Sequence, residues 1–219
     1  MNTKTLKNDL FYQVMGQGEP LVMIHGNGED STIFMKSAQL LMNEFTVYLI
    51  DSVNHGRSIQ VDVYSYEDMA LRLMSLLDAL ELSSFHFFGF SDGGIIGLLL
   101  AKEYPNRFKS LMIAGVNLYP EGMITAELHH YQEVYQRTKD PLLKLMLDQT
   151  PIDPQELKKI TCHSLILCGE YDVIKLSHTK LIHASLSKST LQIIENHNHT
   201  SYVVNNELIA HIILRFLRN

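Results

Sequence analysis

Short apolar runs alternate with amphipathic stretches along most of the chain. Continuous apolar runs predict buried strands, and apolar positions that recur every three or four residues predict helices. Strands are predicted at 10–14, 20–24, 46–50, 85–90, 110–115, 164–168 and 190–194. Helices are predicted at 32–42, 66–80, 93–104, 177–186 and 205–217. This order predicts an α/β fold with a mostly parallel central sheet and helices on both faces.

The alternation is interrupted once. No strand pattern appears between Val116 and Lys159, where four of the six prolines lie. One apolar set at helical spacing begins at Met123, and a second apolar group covers 142–147. We therefore predict that residues 116–159 form a short helical lid. The lid is inserted into a core formed by residues 1–115 and 160–219.

Charge and hydropathy limit the partners that the chain can have. Its 219 residues carry 18 Lys and Arg against 24 Asp and Glu, a net charge of −6 with no basic block. A nucleic-acid partner and an anionic membrane surface are therefore not expected. The most apolar stretch, 85–101, is broken by polar residues and four glycines, so it does not predict a membrane span. The pattern does not determine an oligomeric state.

The cysteines and the first residues indicate a compartment. Cys162 and Cys168 are the two cysteines, six positions apart in one predicted strand. That separation is about 20 Å at ~3.3 Å per residue, too far for a disulfide. Residues 1–8 are polar and do not predict a signal peptide. Free thiols suit a reducing compartment, so we expect a cytoplasmic protein.

The strongest chemical signal is the sequence GFSDG at 89–93, between a predicted strand and a predicted helix. It matches G-x-S-x-G, in which the serine occupies a sharp, strained turn and the glycines let the backbones approach closely. A chance match in a glycine-rich turn is the alternative, and the preceding strand argues against it. Ser91 is therefore predicted to be a nucleophile.

A second motif, HGNG at 25–28, directly follows an apolar run. Such a loop can direct a backbone N–H, here that of Asn27, toward a developing oxyanion, and the N–H of Asp92 would be the second donor. The side chain of His25 is expected to stabilise the loop. The sequence of this loop, together with Asp51 farther along the chain, also partly matches a dinucleotide-binding fingerprint. That reading lacks the third glycine and leaves the serine motif unexplained.

A third motif, DSVNHGRS at 51–58, follows the next predicted strand. Here the chain resembles the α/β-hydrolase fold family, whose members often carry D-x-x-G-x-G-x-S at this place; Asn54 stands where a glycine is common. The resemblance extends from about Phe11 to Leu217, apart from the lid. It implies that Asp51 and His55 are structural. It also implies the order serine, acid, histidine for the catalytic residues.

The resemblance implies which residues are the acid and the base. The sequence LILCGEYD at 165–172 is a strand followed by G-x-x-D, which carries the family's acid. Asp172 is therefore the expected orienting carboxylate, with Glu170 as the alternative. The family's histidine lies some five residues beyond the last strand, which selects His199, with His197 as the alternative. Two histidines one residue apart without a third ligand are weak evidence for zinc, so neither a metal nor a cofactor is expected.

A narrower likeness concerns residues 89–105 and 115–119. They resemble biphenyl-hydrolase-like, valacyclovir-hydrolase-type aminoacyl ester hydrolases. This likeness implies that the Asp92 carboxylate pairs with an α-ammonium group of the substrate. The alternative is a carboxylate that only interacts with the positive end of a helix dipole.

Together these motifs predict a serine hydrolase that cleaves a small carboxylic ester through an acyl-enzyme intermediate. The partner is then a small-molecule ester. The same three residues could instead serve thioester, amide or carbon–carbon bond hydrolysis, or cofactor-free perhydrolysis. A hydrolase-fold ligand receptor with little turnover is the alternative from another class, because a fold does not determine a function. Steady turnover of a substrate would separate the enzyme from the receptor.

Overall fold

A single eight-stranded sheet forms the centre of residues 3–218, the part of the chain that the computed structural model describes; Met1, Asn2 and Asn219 lie outside it. The strands are β1 (Thr3–Lys7), β2 (Leu10–Gly16), β3 (Glu19–Ile24), β4 (Phe45–Ile50), β5 (Phe85–Phe90), β6 (Phe108–Ala114), β7 (His163–Tyr171) and β8 (Ser189–Asn198). Their order across the sheet is β1-β2-β4-β3-β5-β6-β7-β8. β2 is antiparallel to β1 and β4, and the other neighbours are parallel. The predicted α/β fold with a mostly parallel sheet is confirmed.

Helices cover both faces of this sheet, as predicted. They are α1 (Met35–Leu41), α2 (Tyr66–Ala79), α3 (Asp92–Glu103), α4 (Thr125–Thr138), α5 (Pro141–Leu147), α6 (Leu176–Ser185) and α7 (Leu208–Leu217). Val22 and Ile24 of β3 belong to the core with α2, α3 and α6, whereas Leu21 and Met23 belong to the core with α1 and α7. This alternation follows from the period of two along a strand. Within residues 3–218, no helix is both long and apolar enough to cross a membrane.

Strand β1 was not predicted, because hydropathy carries no signal there. The strand joins the edge of the sheet through antiparallel backbone pairing with β2. Asn8 and Asp9 connect the two strands with φ values of 48° and 72°. Asparagine and aspartate tolerate positive φ and favour two-residue hairpin turns, so this dipeptide was the available signal.

Local hydrogen bonds explain where two helices begin. The predicted start of α2 is confirmed, since Ser65 Oγ accepts a hydrogen bond from the N–H of Asp68 at 3.2 Å. The predicted helix at 205–217 begins later, at Leu208. Asn205 has a φ of 49°, and Asn206 Oδ1 accepts from the N–H of Leu208 at 3.0 Å. Asn205 therefore ends the preceding turn, and the Asn206 side chain closes a short turn before the helix, so neither residue joins it.

The segment 116–159 contains the helices α4 and α5 and a 3₁₀ turn at Pro154–Lys159, between β6 and β7. The helices expected in this segment are thus present. Lys139, with a φ of 54°, separates α4 from α5. His178 of α6 fastens the start of the segment, because its Nε2 accepts from the N–H of Leu118 at 2.9 Å. Burial lowers the pKa of His178 to about 4, so this nitrogen stays available as an acceptor near neutral pH.

Both cysteines are free thiols, as expected. Cys168 is buried within β7, but Cys162 is only half-buried and precedes the strand. The prediction that both lie in one strand is therefore wrong for Cys162.

Candidate active site

Ser91 occupies a sharp turn between β5 and α3. Its φ of 51° and ψ of −115° are strained for a residue with a side chain. The strain persists because the surroundings leave no alternative: a Cβ at Gly89 would lie 2.3 Å from the carbonyl oxygen of Gly93, and one at Gly93 would lie 2.2 Å from that of Ile24. Both glycines of the motif are therefore required by close backbone packing.

A chain of hydrogen bonds connects Ser91 to His199 and Asp172. His199 Nε2 lies 3.2 Å from Ser91 Oγ, and His199 Nδ1 lies 2.7 Å from Asp172 Oδ1. The Asp172 carboxylate also accepts from the N–H groups of Gly169 at 3.1 Å and Ile174 at 3.0 Å. Three donors thus hold this buried carboxylate in one orientation. The carboxylate keeps the proton of a neutral imidazole on Nδ1, so that Nε2 can accept from the serine hydroxyl.

The alternative acid and base have other partners. The exposed Glu170 accepts from the N–H of Asn196 at 2.8 Å. His197 Nδ1 lies 2.9 Å from Ser201 Oγ. Of the two candidate carboxylates and the two candidate imidazoles, the structure thus brings Asp172 and His199 to Ser91. Within residues 3–218, no group of three His, Cys, Asp or Glu side chains is arranged to hold a metal ion.

Asn27 and Asp92, whose backbone N–H groups are the expected oxyanion donors, lie with Ser91 in the wall of a cavity. Among the described residues, no protein acceptor pairs with the backbone N–H of Asn27 or of Asp92. The loop that carries Asn27 is held in place by its neighbour Gly28, whose N–H donates to His55 Nε2 at 3.1 Å. Both N–H groups are therefore available to a ligand atom.

His25 anchors the start of this loop. Its buried ring donates from Nδ1 to the carbonyl of Gly26 at 2.8 Å and accepts at Nε2 from the N–H of Ser52 at 3.0 Å. The ring lies 5.1 Å from that of His55. Burial, and then the neighbouring His55, lower the pKa of His25 to about 4. The expectation that His25 stabilises the loop agrees with these contacts.

Mild acid should destabilise the protein through His25. Its pKa is about 4 in the folded state and about 6.5 in the unfolded state, so only the unfolded chain takes up this proton between those values. The free energy of unfolding should therefore fall as pH decreases through this window, by up to about 1.4 kcal/mol per pH unit. Urea unfolding at several pH values would measure the slope.

His25→Gln should reduce the slope of the free energy of unfolding against pH by the equivalent of nearly one proton, whatever it does to stability at pH 7. His211→Gln, which removes an exposed imidazole from α7, is the matched control. A slope that is the same in His25→Gln as in the wild type would contradict the assignment.

A cavity of about 220 Å³ has Ser91 and His199 in its wall. Its apolar side includes residues from 116–159 and from the loop after β7, namely Met123, Tyr131, Leu143, Met146, Val173 and Ile174. A larger cavity of about 310 Å³, between residues 62–67 and α5, contains neither Ser91 nor His199. The smaller cavity is therefore the one that can hold a group bonded to the serine.

Three residues of the site belong to none of the motifs that identified the candidate residues. A Cβ at Gly115 would lie 2.6 Å from Cε1 of His199, so this glycine makes room for the imidazole. The carboxylate of Glu29 lines the cavity and accepts from the N–H of Gly26 at 3.0 Å, and burial raises its pKa. Tyr66 donates from α2 to the carboxylate of Asp92 at 2.8 Å. Only Gly115 had a usable signal, a glycine directly after a strand.

Comparison with known families supports the fold at the level of sequence. Residues 19–162 match the family described as alpha/beta hydrolase fold. The chain is 26% identical to the serine hydrolase BPHL of Homo sapiens over 228 residues, which cover 89% of this chain and 78% of that protein. It is 29% identical to a pimeloyl-[acyl-carrier protein] methyl ester esterase of Vibrio cholerae over 103 residues. That match covers 47% of this chain.

The share of each relative that is covered differs widely. The chain spans 39% of the Vibrio cholerae esterase and 46% of an AB hydrolase superfamily protein of Gibberella zeae. Among solved structures, a hydrolase from Pseudomonas aeruginosa superposes with a TM-score of 0.80 at 22% identity. That superposition covers 100% of this chain and 98% of the other. At such low identity the likeness concerns the fold alone.

Proposed function

Because the chain belongs to the alpha/beta hydrolase fold family, we propose that it is a serine hydrolase that cleaves a small carboxylic ester through an acyl-enzyme intermediate. The observation that carries this proposal is the chain of hydrogen bonds from Ser91 through His199 to Asp172. Its serine sits at a strained turn in the wall of a cavity. A nucleophile, a base and a group that orients the base are the parts that acyl transfer needs.

In the proposed mechanism, Ser91 Oγ attacks the carbonyl carbon of the ester while His199 Nε2 takes the hydroxyl proton. Asp172 stabilises the imidazolium that forms, and the N–H groups of Asn27 and Asp92 donate to the oxyanion. His199 then gives its proton to the departing alcohol, which leaves the acyl group on the serine. Water, activated by the same imidazole, releases the acid and restores the serine.

The test is a panel of chromogenic esters, thioesters and amides, with Ser91→Ala as the blank and a fluorophosphonate as an active-site label. We expect steady turnover of small esters and labelling of Ser91 in the wild type. Faster turnover of thioesters or amides would overturn the assignment to esters. Labelling of Ser91 without turnover of any substrate would overturn the assignment as an enzyme and favour a ligand receptor.

We also propose that residues 116–159 act as a lid on a core formed by 1–115 and 160–219. Support comes from the cavity wall, because Met123, Leu143 and Met146 contribute to it from this segment. A substrate must then fit between the lid and the serine. The lid therefore sets the size of the acyl group.

Long acyl chains should consequently be poor substrates. A cavity of about 220 Å³ with apolar walls suits a small or medium acyl group, so kcat/KM should fall as the chain of a p-nitrophenyl ester is lengthened. Activity should not rise at a lipid interface. Met146→Ala, which widens the apolar side, should shift the preference toward longer esters. Efficient hydrolysis of trioleoylglycerol emulsions by the wild type would contradict the expectation.

A further inference from the structure

The side chain of Asp92 links the two residues whose backbone N–H groups are the proposed oxyanion donors. Asp92 Oδ2 accepts from the amide of Asn27, Nδ2, at 3.0 Å. Asp92 Oδ1 accepts from the hydroxyl of Tyr66 at 2.8 Å. The side-chain bridge therefore runs between the two proposed oxyanion donors, 65 positions apart in the chain.

Asn27 is held from a second direction as well. The same Nδ2 donates to the carbonyl of Leu142 in α5 at 3.1 Å, so both hydrogens of the amide have acceptors. The next residue, Gly28, donates its N–H to His55. Contacts of its side chain and of its neighbour thus hold Asn27 in place. These contacts fix the position of its backbone N–H.

We propose that Asp92 is a positioning residue: its carboxylate grips the Asn27 side chain and so sets the spacing of the two N–H groups that stabilise the oxyanion. The proposal rests on the esterase function proposed above. Hydrogen-bond donors stabilise a transition state only when they are fixed where the charge develops. A displacement of about 1 Å can cost on the order of 10²-fold in rate.

The same contacts argue against a substrate ammonium as the partner of Asp92. The residue is 4% exposed, and each of its carboxylate oxygens already has a donor from the protein. Burial, and then the Asp92 charge, raise the pKa of Tyr66 well above its ordinary value, so its hydroxyl remains a donor. Burial also raises the pKa of Asp92, while the two hydrogen bonds favour its charged form. At 4% exposure, the Asp92 carboxylate offers little surface to a third partner such as an ammonium group.

The decisive experiment compares Asp92→Ala with Asp92→Asn. Alanine removes both hydrogen bonds, and we expect kcat to fall roughly 10- to 100-fold with little change in KM. Asparagine can accept from Asn27 and donate to the Tyr66 oxygen, so kcat should stay within about fivefold of the wild type. Affinity for an alkyl boronic acid, a mimic of the tetrahedral intermediate, should fall with kcat in the alanine variant and be retained in the asparagine variant.

A stability control accompanies these variants. Ser37→Ala also removes a hydrogen bond of a buried residue, from Ser37 Oγ to the carbonyl of Asn206 at 2.6 Å, on the other face of the sheet. It should lower the free energy of unfolding and leave kcat unchanged. If Asp92→Ala does not fold, Tyr66→Phe carries the test, because it removes one of the two bonds to Asp92. A smaller loss of kcat, accompanied by a matching loss of boronic-acid affinity, is then expected.

Substrate pairs separate the possible roles of Asp92. Alanine benzyl ester and benzyl propionate differ by the ammonium group alone. If Asp92→Asn loses activity on the amino ester and retains it on the propionate, Asp92 binds the ammonium and the positioning role is wrong. Asp92→Ala with wild-type kcat and boronic-acid affinity would also overturn it. A wild type without ester turnover would reject the proposed function, and boronic-acid affinity would still decide the role of Asp92.

Discussion

Replacing Ser91 by alanine is expected to lower kcat by roughly 10⁴- to 10⁶-fold. In the proposed mechanism this variant loses the atom that bonds to the acyl group, while the expected oxyanion donors and the cavity remain. Stability should change little, because Ser91 is a half-buried residue whose hydroxyl faces His199 in the wall of the cavity. Hydrolysis of the best p-nitrophenyl ester of the panel is the measurement.

The control for this variant is Ser91→Gly. A glycine adopts the φ of 51° without strain, so this variant should be equally inactive and no less folded than Ser91→Ala. Comparable inactivity in both variants would locate the effect in the hydroxyl. Activity of Ser91→Ala within about tenfold of the wild type would exclude the serine as the nucleophile, since losses of a nucleophile are far larger.

Replacing His199 by alanine should be about as severe, because the nucleophile and its base act as a unit. The variant lacks the imidazole nitrogen that lies 3.2 Å from Ser91 Oγ and is proposed to take its proton. His197→Ala is the matched control two residues away. Its ring contacts Ser201 rather than the serine of the site, so kcat should change only mildly.

The pair also tests the position of the base in the loop. Steady-state kinetics on the same ester, with the unfolding midpoint of each variant, separates loss of the base from loss of folding. If His197→Ala were the inactive variant and His199→Ala the mild one, the position of the base would be wrong by two residues.

Much of the architecture follows from local periodicity. Within residues 3–218, continuous apolar runs predicted seven of the eight strands, and the central strands among them must be apolar on both faces because both are covered. The strand that was not predicted, β1, has no apolar run and joins the edge of the sheet through backbone pairing with β2. The glycines of the serine turn were also readable, because a close backbone approach excludes other residues there.

The partners of buried polar side chains were less predictable. The sequence offers two partners for the Asp92 carboxylate, a substrate ammonium group or the positive end of a helix dipole. Neither interpretation includes Tyr66 or Asn27. Nothing in the periodicity of a helix distinguishes a buried tyrosine that donates a hydrogen bond, as Tyr66 does, from one that only packs. No motif singles out Glu29, although it lines the cavity beside the serine.

The sequence by itself determined the α/β order of elements and the strained turn at Ser91, because strand period, helix period and glycine requirements act between residues near each other in the chain. The family resemblance implied Asp172 and His199 but left Glu170 and His197 as alternatives. Only the tertiary structure decided which carboxylate and which imidazole meet that serine, and which groups hold Asp92. His199 contacts Ser91 across 108 positions, and Asn27 reaches Asp92 across 65. Such contacts depend on how parallel strands bring their carboxyl ends to one edge of the sheet, which no local pattern specifies.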